Sequence, residues 1–182
     1  MKRFVMPLVV LLAVSMVAFA ANVKSGLELG ASTTAFNVKD VTGPSAGKSL
    51  CYRCQYGAKP VACVFTREIT DEVAALIKQI DTTVGANKDK NMCGFVVLLT
   101  DDADAGAKQL AKLAKEQNIQ HVPLTVFDGT AGPEKYKISK DAAVTVLMWN
   151  KSRVASNHAF ASGKLSSAEV AAVAADTSKI LN

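Results

Sequence analysis

The sequence predicts an α/β fold, a mixed β-sheet with flanking helices, and three observations carry that prediction. Two short apolar runs, residues 60–65 and 94–100, are each followed by a helical pattern. Two later runs, residues 143–149 and 153–160, bracket a three-residue turn. The chain then ends on a capped amphipathic segment.

Each element has its own justification. Pro60-Val61-Ala62-Cys63-Val64-Phe65 is nearly continuously apolar, as parallel strands buried on both faces are. Thr70 stands at an N-cap position, with Asp71 and Glu72 in the first turn, where the helix dipole favours negative charge. Val73, Leu76, Ile77, Ile80 and Val84 recur at helical spacing and define its buried face. Phe95-Val96-Val97-Leu98-Leu99 forms the centre of the second strand, and Asp101 and Asp102 mark the next helix start. That helix turns Leu110, Leu113 and Ala114 inward and Lys108, Lys112 and Lys115 outward, ending near Asn118. Two successive β-α units imply parallel strands joined by right-handed crossovers. Residues 124–127 read as a short strand, and Asn150-Lys151-Ser152 suits a hairpin turn between residues 143–149 and 153–160. Ser166-Ser167-Ala168-Glu169 is a capping box opening a single last helix with Val170, Val173, Ile180 and Leu181 on its apolar side. The expected order is β-α-β-α-β-β-β-α.

Ahead of this pattern lies a leader. Lys2 and Arg3 precede an apolar run that ends in Ala18-Phe19-Ala20, the layout of a secretory signal peptide over residues 1–20. The run is short of the roughly 20 residues that span a bilayer, and no later stretch is long and apolar enough, so no membrane span is expected. Residues 21–57 read as a Gly- and Ser-rich lead-in with a weak strand signal at residues 35–38, and residues 58–182 as the main domain. The 21 Lys and Arg and 16 Asp and Glu are scattered rather than gathered into blocks, which argues against nucleic acid as a partner. An exported chain, periplasmic or secreted, would hold its four cysteines, Cys51, Cys54, Cys63 and Cys93, where disulfides persist. Asn150-Lys151-Ser152 also fits a glycosylation sequon, given little weight because it falls in a tight turn.

The stretch 43–57, GPSAGKSLCYRCQYG, holds two motifs. Gly43 to Ser49 is one residue short of a phosphate-cradling loop, which also needs a strand before it, and is followed by Leu50-Cys51 where a helix must begin, so it reads as a flexible Gly/Pro turn. Cys51-Tyr52-Arg53-Cys54 is the stronger signal, because thiols three positions apart can close a small disulfide or share a metal. Gly57 and Pro60 leave no room for a long helix at Cys51, so Arg53, Lys48 and Lys59 are the groups placed to lower a thiol pKa. Three readings stay open: a redox-active disulfide, a structural disulfide and a metal site. The metal reading needs a third ligand, and the two histidines, His121 and His158, look like ordinary polar residues at strand edges. No cofactor or metal is expected. Cys63 reads as a small buried hydrophobe.

The order of elements, with residues 58–65 as first core strand and residues 144–151 as a later one, resembles the thioredoxin fold. Within that superfamily the layout looks most like the redoxin branch, the alkyl hydroperoxide reductase/thiol-specific antioxidant type and the periplasmic thioredoxin-like thiol reductases. The resemblance implies a three-layer fold over roughly residues 35–181. It also implies a reactive cysteine just beyond the first core strand, but residues 66–72 read TREITDE and contain none. Neither the peroxiredoxin nor the thioredoxin mechanism carries over to those positions. His121-Val122-Pro123-Leu124-Thr125 looks like the family's cis-proline segment, yet by strand order Pro123 would instead open an extra strand, and both readings compete. The resulting expectation is an exported redoxin-like protein exchanging thiols and disulfides through Cys51 and Cys54, with Arg53 tuning their pKa. Its partners would be protein thiols or disulfides, including a redox partner protein. The alternative is a non-catalytic binding or accessory domain with a structural disulfide. The implied layout puts the pair near the N-terminal pole of the first core strand, with Cys93 near the same pole.

Overall fold

The computed structural model describes residues 23–181, so the expected leader lies outside the described residues. In chain order the elements are β1 (Val38–Asp40), β2 (Ser49–Leu50), α1 (Tyr52–Tyr56), β3 (Val61–Thr66), α2 (Asp71–Ala86), β4 (Cys93–Thr100), α3 (Ala103–Glu116), β5 (Leu124–Asp128), β6 (Val144–Asn150), β7 (Arg153–Phe160), α4 (Ser167–Asp176) and α5 (Ser178–Leu181). All seven strands form one sheet in the order β2-β1-β5-β4-β3-β6-β7. β3, β4 and β5 are parallel, while β6 and β7 form an antiparallel hairpin beside β3. Every residue of β3 is buried, which is why its sequence is apolar without alternation.

The two faces are built differently. Ala62, Val64 and Val96 point to the face covered by α2, α3, α4 and α5 through Ile77, Leu110, Val173 and Ile180. Cys63, Phe65, Phe95 and Trp149 point to the other, where Leu27, Tyr52 and Tyr136 cover them. The lead-in is therefore packed chain: β1 pairs with β5 and β2 with β1, and Gly30 and Ala31 exchange backbone hydrogen bonds with Val154 at the β7 edge.

Local signals explain the boundaries. Thr70 Oγ1 accepts from Val73 N at 3.3 Å, Asp102 Oδ1 accepts from Ala105 N at 2.9 Å, and the capping box of Ser166 and Glu169 is formed. The hairpin turns on Lys151 and Ser152, both at positive φ (49° and 61°), a two-residue turn whose twist matches the strands. Asn150 Nδ2 there donates to Ile180 O at 2.8 Å, committing the sequon nitrogen to the fold. The single last helix is corrected to two. Thr177 Oγ1 and Ser178 Oγ donate back to Ala174 O and Ala175 O, and such back-bonding bends or ends a helix. Pro123 precedes β5, and no peptide bond among the described residues is cis, so Pro123 opens the extra strand.

Candidate functional site

Cys51 and Cys54 are bonded to each other, with Cα atoms 5.2 Å apart. Cys51 is the N-cap of α1, and its Sγ accepts the Cys54 N–H at 3.1 Å. Gly57, at φ 57°, ends the helix after five residues, in keeping with the expectation that no long helix starts here. Tyr52 and Tyr56, one turn apart, face the sheet. Tyr52 stacks on Phe95 with centroids 5.6 Å apart, and Tyr56 meets Phe95 edge-on while its hydroxyl donates to Gly94 O at 3.3 Å. The helix thus lies over the start of β4, away from the C-terminal end of β3. Its opposite side is open: Cys54 and Gln55 are exposed, and Cys51 and Arg53 are half-buried.

The anchor of α1 is a residue the sequence did not flag. Asp40, 1% exposed, accepts from Gly43 N, Ser45 N and Tyr52 Oη, each at 2.8 Å. Residues 43–49 thus form no phosphate cradle, because the chain's own carboxylate takes the amides, and they form a fastened loop rather than a flexible turn. Glycine is required at 43, since a Cβ would lie 2.7 Å and 2.8 Å from the Asp40 oxygens. Burial pushes the Tyr52 phenol above its ordinary range, and the Asp40 hydrogen bond and charge push the same way, so Tyr52 stays a neutral donor. The available signal was local: an Asp followed at three and five residues by Gly and Ser is a side chain positioned to close its own turn.

The other predicted residues are dispersed. Arg53 Nε donates to Thr33 Oγ1 at 3.2 Å, fastening α1 to the lead-in. Cys63 is a free, fully buried thiol whose pKa burial pushes well up. Cys93 is free and half-buried; burial raises its thiol, nearby Lys59 partly offsets this, and its Sγ donates to Asn91 O at 3.5 Å. Among the described residues no three His, Cys, Asp or Glu side chains gather as metal ligands. His158 instead joins Ser156 and Lys179 around one oxygen, Asp176 Oδ2, at 2.9, 2.7 and 2.7 Å. Burial alone would raise the Asp176 carboxyl, but these hydrogen bonds hold it down at about 2. Ser156 donates to the carboxylate and also lies 3.1 Å from His158 Nε2, so the cluster ties β7 to the end of α4. It borders a cavity of about 530 Å³.

The C-terminal end of β3 is occupied by Arg67. Its Nε donates to Thr130 O at 2.9 Å and its Nη1 to Ser139 O at 2.9 Å and to Ala142 O, while its backbone N–H bonds Ala143 O at 3.0 Å. Burial lowers its pKa. The arginine clamps the link between β5 and β6 at the place where the resemblance implied a thiol.

No family model and no curated protein matches the sequence. Solved structures do match. A provisionally named thiol:disulfide interchange protein DsbE from Chlorobium tepidum aligns at 15% identity and TM-score 0.66, over 86% of this chain and 99% of that one. The thioredoxin domain of thiol-disulfide oxidoreductase BVU-2223 from Bacteroides vulgatus aligns at 15% and 0.58, over 86% and 99%. Peroxidoxin BcpB from Mycobacterium tuberculosis aligns at 14% and 0.58, over 85% and 98%. At such identities the likeness is one of architecture, and it agrees with the strand order and strand directions described above: the chain has a thioredoxin-like fold.

Proposed function

We propose that this protein is an exported thiol-disulfide exchange protein acting through Cys51 and Cys54. The observation that carries the reading is a disulfide of CxxC spacing on the open side of a short helix, with one sulfur receiving a backbone N–H. In the reduced form the Cys54 N–H favours the Cys51 thiolate, and Arg53 adds positive charge within the same turn. The Cys51 thiolate attacks one sulfur of a partner disulfide, forming a mixed disulfide and releasing the other partner sulfur as thiolate. The Cys54 thiolate then attacks Cys51 Sγ and expels the remaining partner thiolate. The partner disulfide is reduced to a dithiol, and the pair is oxidised to the observed disulfide. The same steps reversed oxidise a partner dithiol.

Trapping tests this. A Cys54→Ser variant should accumulate a mixed disulfide at Cys51 with a small disulfide or an insulin-type substrate, and Cys51→Ser should abolish turnover. A pair whose potential lies well below about −300 mV, the range of inert structural bridges, would remove the exchange reading. The second reading, an accessory domain with a structural disulfide, is favoured by one observation, the Arg67 clamp at the end of β3.

A further inference from the structure

We infer that the surface around the Cys51–Cys54 disulfide is a docking site for an acidic protein segment that carries the partner cysteine. This inference rests on the exchange reading above and adds to it the chemistry of the partner. Between Asp40 and Glu68 the chain has no acidic residue. The one carboxylate bonded to α1 is that of Asp40, buried and filled by its three donors. The cations are arranged differently. Lys48 precedes β2, Arg53 lies inside α1, and Lys59 follows its C-cap. Lys151 is brought in by the hairpin turn, its N–H bonding Ala58 O at 3.0 Å. Lys88 and Lys90 flank the approach to Asn91, the acceptor of the Cys93 thiol. The five lysines are exposed, and among the described residues none of the six cations forms an ion pair with a carboxylate. Asp89 is the single acid among them on these segments.

At the opposite pole, beyond the C-terminal ends of β3, β4 and β5, the signs are mixed: Glu68, Asp71, Asp101, Asp102 and Asp128 lie there with Arg67, Lys140 and Lys164. The segments around the disulfide thus carry six cations and, besides the buried Asp40, one acid, Asp89. A field of one sign around a reactive group raises the local concentration of oppositely charged partners and their encounter rate. It also favours an attacking partner cysteine as thiolate. A protein segment fits better than a membrane surface, because Leu29 is the only large hydrophobic exposed among the described residues.

Exchange kinetics with three disulfide-linked peptides, their cysteines flanked by Glu, by Ser or by Lys, test this. At about 20 mM salt the Glu peptide should react at least about tenfold faster than the Lys peptide, and the ratio should fall towards one at about 500 mM. In a Lys59→Glu, Lys151→Glu variant the same ratio should fall to about one or invert. Equal low-salt rates for the Glu and Lys peptides would overturn the acidic partner while leaving exchange standing. Failure to react with all three would remove the exchange reading itself. Binding to a Cys51→Ser, Cys54→Ser variant is measured separately, using cysteine-free Glu peptide, phosphatidylserine vesicles and an RNA oligonucleotide. Salt-sensitive peptide binding supports the docking surface, and tighter binding of vesicles or RNA overturns the assignment of its occupant.

Discussion

Replacing both Cys51 and Cys54 by serine removes the one disulfide among the described residues, and the geometry fixes how little that should cost. The bond closes a ring of residues 51–54. For a ring this small the chain-entropy estimate is about 1.9 kcal/mol at 25 °C. Serine at 51 also keeps a side-chain acceptor at the N-cap, a position where serine is among the preferred residues, so the Cys54 N–H contact has a replacement. α1 itself stays fastened by Tyr52 on Asp40 and Phe95 and by Tyr56 on Gly94, none of which the substitution touches. For a domain of this size a loss of that order lowers Tm by about 4 to 8 °C. Trp149, the only tryptophan, is buried and edge-on to Phe95, so its fluorescence reports the core while circular dichroism reports the helices. The same variant should lose exchange with a small disulfide. A Tm drop beyond about 15 °C would show the bond to be structural, and retained exchange would place the chemistry elsewhere.

Four further outcomes follow from named contacts. Tyr52→Phe removes one of three donors to Asp40 and should cost about 1 kcal/mol in urea denaturation, with the disulfide more readily reduced as α1 loosens. Asp81→Ala leaves the N–H groups of Gln120, His121 and Val122 without their shared acceptor and should cost about 3 to 5 kcal/mol, with Asn recovering part; a loss under about 1 kcal/mol would contradict it. Asp176, held at about 2 when folded, stabilises above its ordinary carboxylate range, and that stabilisation is lost as pH falls from about 4 through 2. After allowance for solvent screening this amounts to about 1 kcal/mol, read as the stability gap between wild type and Asp176→Asn at pH 6 that closes near pH 2. Arg67→Met orphans the carbonyls of Thr130, Ser139 and Ala142 and should destabilise by about 2 to 4 kcal/mol, and Arg67→Lys, lacking the fork, should restore less than half.

What could be read from the sequence was what periodicity and caps encode. The apolar runs of β3 and β4, the i, i+3, i+4 face of α2 and the capping box of α4 depend on neighbours close in sequence or on complete burial, and they appear where expected. β1, β2 and α1 are three, two and five residues long and exist because distant strands and rings receive them, which no local window contains. The buried carboxylates were missed for a related reason, since Asp40 and Asp81 look like surface charges until their partners are known. Asp81 did leave a trace: it falls four residues after Ile77 and three before Val84, on the helix's apolar face, where a charge needs satisfied partners. Spacing allowed Cys51 and Cys54 to pair or to share a metal, and the structure pairs them, whereas the open or covered side of α1 depended on Tyr52 and Tyr56 finding Phe95.

The placement of the disulfide also decides which physical effect can activate it. At the end of β3 a thiol would meet the N-terminus of α2, sixteen residues long, with a full set of aligned dipoles. That place is held by Arg67, a cation already engaged by three carbonyls. At α1 only five residues are helical, so the dipole term is small, and stabilisation of a thiolate falls to the single Cys54 N–H and to unpaired cations nearby. The first of these is fixed by the fold and insensitive to salt. The second is screened by salt over about 10 Å at 0.1 M, so the reactivity of this pair should depend on ionic strength more than that of a thiol seated on a long helix.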